Sequence, residues 1–323
     1  MAVFNMSSTH QRLTLNAAAY LILATILWGG NAIVGRWFVG HLSPALLNLF
    51  RWIIAAAVLM PFAWKILLPQ SLLWQHKKRF LTLSLLGVGC YNAFLYIALE
   101  TSSPINVTLI GASMPIWMLL IGSIFYQNRV NPWQMLGAVV SIIGVTVVLS
   151  RGNLDGILML KFVPGDMLMV AATLLWACYS WMLSKPGKSP EKQWPWTEFL
   201  LAQIVLGLIW SLVFAGFEFS LGLSQIDLSP SLSWPLLIFC GLGPALIAYR
   251  CWSAGVAIAG PNIAGFFGNL IPLFTALFAA ALLGDMPHLF HAAAFGLIVA
   301  GIVISSQLKT PSKKGSTNLR PKN

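Results

Sequence analysis

Residues 104–115 read PINVTLIGASMP, and residues 261–272 read PNIAGFFGNLIP. Pro104, Gly111 and Pro115 are matched in spacing by Pro261, Gly268 and Pro272, each displaced by 157 positions, and the same displacement carries Gly144 onto Gly301. Both copies lie inside long apolar runs. Proline within a helix removes a backbone hydrogen bond and crowds the preceding turn. In lipid such a break survives only where protein or a cavity satisfies the freed groups. Paired Pro/Gly-interrupted segments in two halves of a chain are the sequence mark of a binding site at a repeat interface.

The surrounding composition fits a bilayer. Of 323 residues, 58% are hydrophobic and 8% charged, against about 25% charged in soluble proteins. Mean hydropathy is +0.80. A span needs ~20 apolar residues, and ten candidate runs can be read: about 16–38, 44–64, 80–100, 103–126, 132–150, 166–184, 197–217, 234–257, 261–283 and 288–307. The expected fold is an all-α integral membrane protein with ten transmembrane helices. Its plan is an N-terminal segment (1–15), a first repeat (16–150), a linker (151–165), a second repeat (166–307) and a basic tail (308–323). The first run is long for the apolar region of a signal peptide. Its Ala24-Thr25-Ile26-Leu27-Trp28 also recurs as Ala172-Thr173-Leu174-Leu175-Trp176, so it reads as helix 1 rather than as a removable leader.

Orientation follows from the placement of Lys and Arg. With the N-terminus in the cytoplasm, fourteen of the 19 basic residues fall inside, three outside and two, Arg51 and Arg250, within spans. Both termini are therefore expected in the cytoplasm. Five spans per repeat is an odd number, so the two repeats are expected to run in opposite senses. This asymmetry also accounts for the net charge of +11 without a nucleic-acid partner, for which no aromatic-interleaved basic patch exists. The four cysteines, Cys90, Cys178, Cys240 and Cys251, fall inside apolar runs and are expected to be free thiols.

Several residues together resemble the ten-helix EamA-type permeases of the drug/metabolite transporter superfamily. They are Leu27-Trp28-Gly29-Gly30-Asn31, Arg51, Tyr96-Ile97-Ala98-Leu99, Met114-Pro115, Gly137, Gly144, Leu175-Trp176-Ala177 and Leu270-Ile271-Pro272. The resemblance covers nearly the whole chain. It implies a five-plus-five inverted repeat around a central cavity, in a multi-pass protein of the bacterial inner membrane that exports amino acids, other metabolites or toxic compounds. The family pattern usually has Glu at the cytoplasmic end of helix 4, where this chain has Tyr126-Gln127-Asn128-Arg129.

Candidate substrate-binding residues come from the polar and aromatic groups within spans. Ionisable residues there are expensive and usually functional. Arg51, about seven residues into helix 2, could grip a carboxylate or phosphate in a bidentate fashion or extend its head to the interface. Glu100 is the one acid expected near its depth. Asn31, Asn106 and Asn269 are candidate cavity amides, with Asn269 on a helix-9 face shared by Asn262 and Phe266. Tyr96, Trp117, Tyr179 and Trp252 could stack on substrate or accept a cation. Gly111 and Gly268 would admit close approach, with Pro104, Pro115, Pro261 and Pro272 as the helix breaks. His288 and His291 with Asp285 make a weak metal set, so no metal is expected.

No G-x-x-x-x-G-K-[ST] occurs, so no nucleotide and no other cofactor is expected. The reading is a secondary transporter, expected to be an exporter, of amino acids or related amphipathic metabolites. Its partners are the small-molecule substrate and membrane lipid. A membrane-embedded enzyme acting on lipid-linked substrates, or a scaffold without flux, are the alternatives.

Overall fold

The structure, a computed structural model, describes residues 13–102, 107, 110–150, 163–185, 194–283 and 289–307. The candidates Pro104 and Asn106, and most of the linker and of both tails, lie outside the described residues. Helices dominate those that are described: α1 (Leu15–Phe38), α2 (Pro44–Ala63), α3 (Lys77–Thr101), α4 (Met114–Tyr126), α5 (Pro132–Leu149), α6 (Pro164–Ser184), α7 (Trp196–Ser220), α8 (Ser233–Ala259), α9 (Pro261–Phe267 and Leu270–Leu283) and α10 (Leu289–Ser305). Seven are long and apolar enough to cross a membrane, and shorter apolar helices occupy the α4, α5 and α10 positions.

Contacts at the helix ends show which of them share a face of the bundle. At the upper face, Arg36 near the end of α1 donates to the Leu99 carbonyl near the end of α3 (3.1 Å), and Gly165 at the start of α6 donates to Thr101 (3.1 Å). Glu218, near the end of α7, accepts from Ser43 Oγ (2.5 Å) and the Ala45 amide (3.2 Å) at the start of α2. At the lower face, Arg79 near the start of α3 donates to the Met182 carbonyl near the end of α6 (2.5 Å). Gly255, toward the end of α8, packs on Leu21 in α1. So α1 begins at the lower face and α6 begins at the upper one. The two repeats are inverted, as the odd span count implies.

The repeat symmetry extends to packing. Helix α5 lies against α10, with no room for a side chain at the crossing. A Cβ on Gly137 would stand 2.6 Å from the Gly301 carbonyl, and one on Gly301 would stand 2.7 Å from the Gly137 carbonyl. The repeat displacement turns the Gly137–Gly301 contact into Ala294–Gly144, and Gly144 does meet the Ala294 carbonyl, at 3.0 Å from a Cβ position. Small residues that let backbones meet replace the hydrophobic driving force that is absent between helices in lipid.

Two pairs of helices depart from regular α geometry at equivalent places. In the first pair, residues 110 and 111 are helical, 112 and 113 turn, and α4 starts at Met114; α9 turns at Gly268–Asn269 between its two pieces. These breaks fall where the duplicated Pro/Gly spacing puts them. In the second pair, α3 contains a π segment at Leu85–Cys90 and α8 one at Gly241–Ile247. Pro244 within the latter has no N–H to give to the ladder. Such π segments are rare and concentrate at functional sites.

Candidate functional site

The broken and π-bearing helices converge on one cavity. Gly111 and Gly268 face it from the two breaks, and the repeat-related Met114 and Ile271 lie one turn further on, with Pro272 beside them. Asn31 from α1 and Asn92 from α3 are its polar wall; Trp28, Tyr91, Leu95, Val107 and Met169 make the rest mainly apolar. About 40 Å³ is open to the centre of a water molecule, room for a few waters rather than a metabolite.

Beneath the cavity, toward the lower face, aromatic rings close the centre. Trp28 and Trp176 occupy equivalent positions in the two repeats and meet edge to face, with centroids 5.2 Å apart. Trp252 lies 5.2 Å from Trp28, Tyr91 lies 4.7 Å from Trp176, and Tyr179 lies 4.9 Å from Trp176. Tyr249 stands edge-on to both Trp176 (5.3 Å) and Trp52 (5.0 Å). The π segments supply acceptors to this layer. Trp28 Nε1 donates to the Pro244 carbonyl (3.2 Å), Trp52 Nε1 to the Val88 carbonyl (3.1 Å), and the Tyr249 hydroxyl to the Gly87 carbonyl. Asymmetry between the repeats sets where space remains. The displacements that relate Trp28 to Trp176 and Gly111 to Gly268 put Tyr179 opposite Asn31 and Tyr249 opposite Asn92. Amides face the cavity on the upper side, and phenol rings fill the lower side.

Arg51 sits directly behind the amide wall, with 0% of its surface exposed. Its Nη1 donates to Asn92 Oδ1 (2.8 Å), Tyr96 Oη (2.7 Å) and Asn31 Oδ1 (3.4 Å). The Tyr96 hydroxyl in turn donates to Asn31 (2.8 Å), and Asn92 Nδ2 to Tyr249 (3.1 Å). Its guanidinium carbon lies 5.2 Å from the Trp52 ring. Among the described residues, Nε and Nη2 have no hydrogen-bond partner. Glu100 is exposed at the end of α3 and is not among the contacts of Arg51; polar neutral groups hold the cation instead. Arg250, the other basic residue within a span, is half-buried over the Trp196 ring at 5.6 Å.

The remaining candidates scatter. Tyr179 donates to Gln203 (3.0 Å) and Trp252 to Ser180 (3.1 Å), both within the aromatic layer. Trp117 donates to Ser113 of its own turn (3.0 Å). Phe266 is fully buried, and Asn269 donates to Ser141 of α5 (2.7 Å). Among the break prolines, Pro272 lines the cavity, while Pro115 packs on Gly265 and Pro261 opens α9. The cavity residues Ala32, Leu95 and Met169 carry no sequence signal, being ordinary apolar residues in apolar helices.

The EamA-like transporter family matches residues 15–150 and 163–307, once for each repeat. A probable amino-acid metabolite efflux pump of Salmonella typhimurium is 26% identical, covering 88% of this chain and 92% of its own length. The aromatic amino acid exporter YddG of Ancylobacter novellus is 23% identical over 69% of this chain and 74% of its own. A solved crystal structure superposes with a TM-score of 0.70 at 20% identity, over 90% of this chain and 96% of that one; it bears on the fold alone.

Proposed function

Because the chain belongs to the EamA-like transporter family, we propose that it exports small amphipathic metabolites, amino acids or close relatives, across the bacterial inner membrane by alternating access. The observation that carries this reading is the cavity walled by both broken helices, with Gly111 and Gly268 facing it as a repeat-related pair. Inverted repeats of this kind exchange conformations around a midplane site. In the conformation described, Asn31, Gly111, Gly268 and Pro272 belong to the cavity wall. Tyr179 and Trp252 belong to the aromatic floor, which must part for substrate to pass, and Phe266 and Asn269 support α9 from behind. The lower face is the cytoplasmic one by the basic-residue asymmetry. Similarity to an aromatic amino acid exporter and to a probable amino-acid metabolite efflux pump supports the substrate class.

The test is a metabolite survey of cells that overproduce the protein and of matched cells that carry the Gly268→Leu variant at equal membrane abundance. Faster loss of amino acids or similar compounds from the first cells only is the expected result. Equal profiles would overturn transport and favour a scaffold; a chemically altered lipid pool would favour a membrane-embedded enzyme.

A further inference from the structure

Resting on that reading of the cavity, we infer that its ligand is a monocarboxylate with an apolar body, zwitterionic amino acids included, and that Arg51 is the group that recognises the carboxylate. A buried guanidinium ordinarily pairs with an acid or donates all its hydrogens. Arg51 does neither. All three of its hydrogen bonds converge on Nη1. The unpartnered atoms, Nε and Nη2, are the two that form one edge of the planar fork. That edge is built to hold the two oxygens of a carboxylate by parallel N–H···O bonds. Asn31, Asn92 and Tyr96 thus fix the orientation of the guanidinium and leave its bidentate edge free.

The second observation is continuity with the cavity. Asn31 and Asn92 belong both to the cavity wall and to the shell of Arg51. A carboxylate entering the cavity therefore meets the amides first; the Nε–Nη2 edge lies on the side of the guanidinium away from Nη1 and is buried here, and it is reached when the helices that cover it shift in the transport cycle. Asn31 can offer its N–H₂ group to an anion while its Oδ1 still accepts from Arg51 and Tyr96, since an amide carries donors as well as an acceptor; the Asn92 N–H₂ already donates to Tyr249. The apolar body of the ligand would lie against Trp28, Tyr91 and Met169. Among the described residues no acid lines the cavity, so a net cation would find no counter-charge among them.

The experiment measures binding and uptake with purified wild-type protein in proteoliposomes. The probes are three acid–amide pairs: L-phenylalanine with L-phenylalaninamide, L-leucine with L-leucinamide, and L-methionine with L-methioninamide. At least one acid is expected to bind at least tenfold more tightly than its amide. Amides that bind as well as their acids would overturn the carboxylate assignment while leaving transport intact. Failure of all six to bind, beside export of other compounds in the metabolite survey, would also overturn it; an empty survey would instead remove the transport reading itself. Arg51→Lys keeps the charge but not the fork, and should lose at least tenfold in affinity for the acid with little change for the amide. An equal loss for both would make Arg51 a structural strut. If this variant does not fold, the acid–amide comparison on the wild-type protein still decides.

Discussion

At the scale of single residues, the two cavity glycines are equivalent in sequence and unequal in space. Among the described residues, a Cβ at Gly111 would meet only the flexible end of Met169, at 3.3 Å. One at Gly268 would stand 3.0 Å from the Gly265 carbonyl and 3.0 Å from Met114 Sδ. Gly111→Ala should therefore leave stability nearly unchanged, whereas Gly268→Ala should cost about 1–3 kcal/mol by overpacking. Thermal unfolding in detergent checks both, and equal midpoints would contradict the difference. Asn92 is more exposed to loss, because it accepts from Arg51 and donates to Tyr249. Asn92→Ala leaves the buried cation with only Tyr96 and the longer Asn31 contact and is expected to cost about 1–3 kcal/mol, read as a lower unfolding midpoint than for Asn31→Ala, whose contact to Arg51 is the longer one at 3.4 Å. Arg51 was legible as a candidate from its charge in an apolar run. That its partners are amides and a phenol was not, since nothing in spacing fixes which neighbouring helix a side chain meets.

At the scale of elements, the duplicated Pro/Gly spacing located both helix breaks, and the breaks explain what spacing missed. The turn at Gly268–Asn269 resets the helical phase. The seven-residue separation of Asn262 and Asn269 therefore no longer means a common face, and Asn269 turns to Ser141 instead. The π segments of α3 and α8 were invisible because one extra residue in a turn leaves no periodic mark in a uniformly apolar run. The α5–α10 crossing is the element whose geometry is least forgiving. Gly137→Leu should drive the backbones apart and reduce membrane abundance severalfold, while Gly216→Leu, where a Cβ meets nothing within 4 Å among the described residues, should accumulate normally. Immunoblotting of membrane fractions distinguishes them, and equal abundance would contradict this account of the crossing.

At the scale of the whole molecule, two inverted repeats place Lys77 on the lower face and Gln225, in the α7–α8 loop bridged to the α1–α2 loop, on the upper. Both side chains are exposed. Cysteines at these positions should react with impermeant reagents from opposite sides of the membrane, position 77 from the cytoplasm. Reaction of both from the same side would contradict the inverted arrangement. The central claim is that one cavity is reached from both sides in turn, past an aromatic floor that is closed here. The most direct measurement puts a single cysteine at Met169, in the cavity wall, in a chain whose Cys90, Cys178, Cys240 and Cys251 are replaced by alanine. An impermeant thiol reagent is then applied to whole cells and to inverted vesicles. The account predicts labelling from the outside in the resting protein, labelling from the cytoplasmic side that grows during transport, and protection by substrate on both sides. Labelling from one side only, under every condition that supports flux, would contradict it.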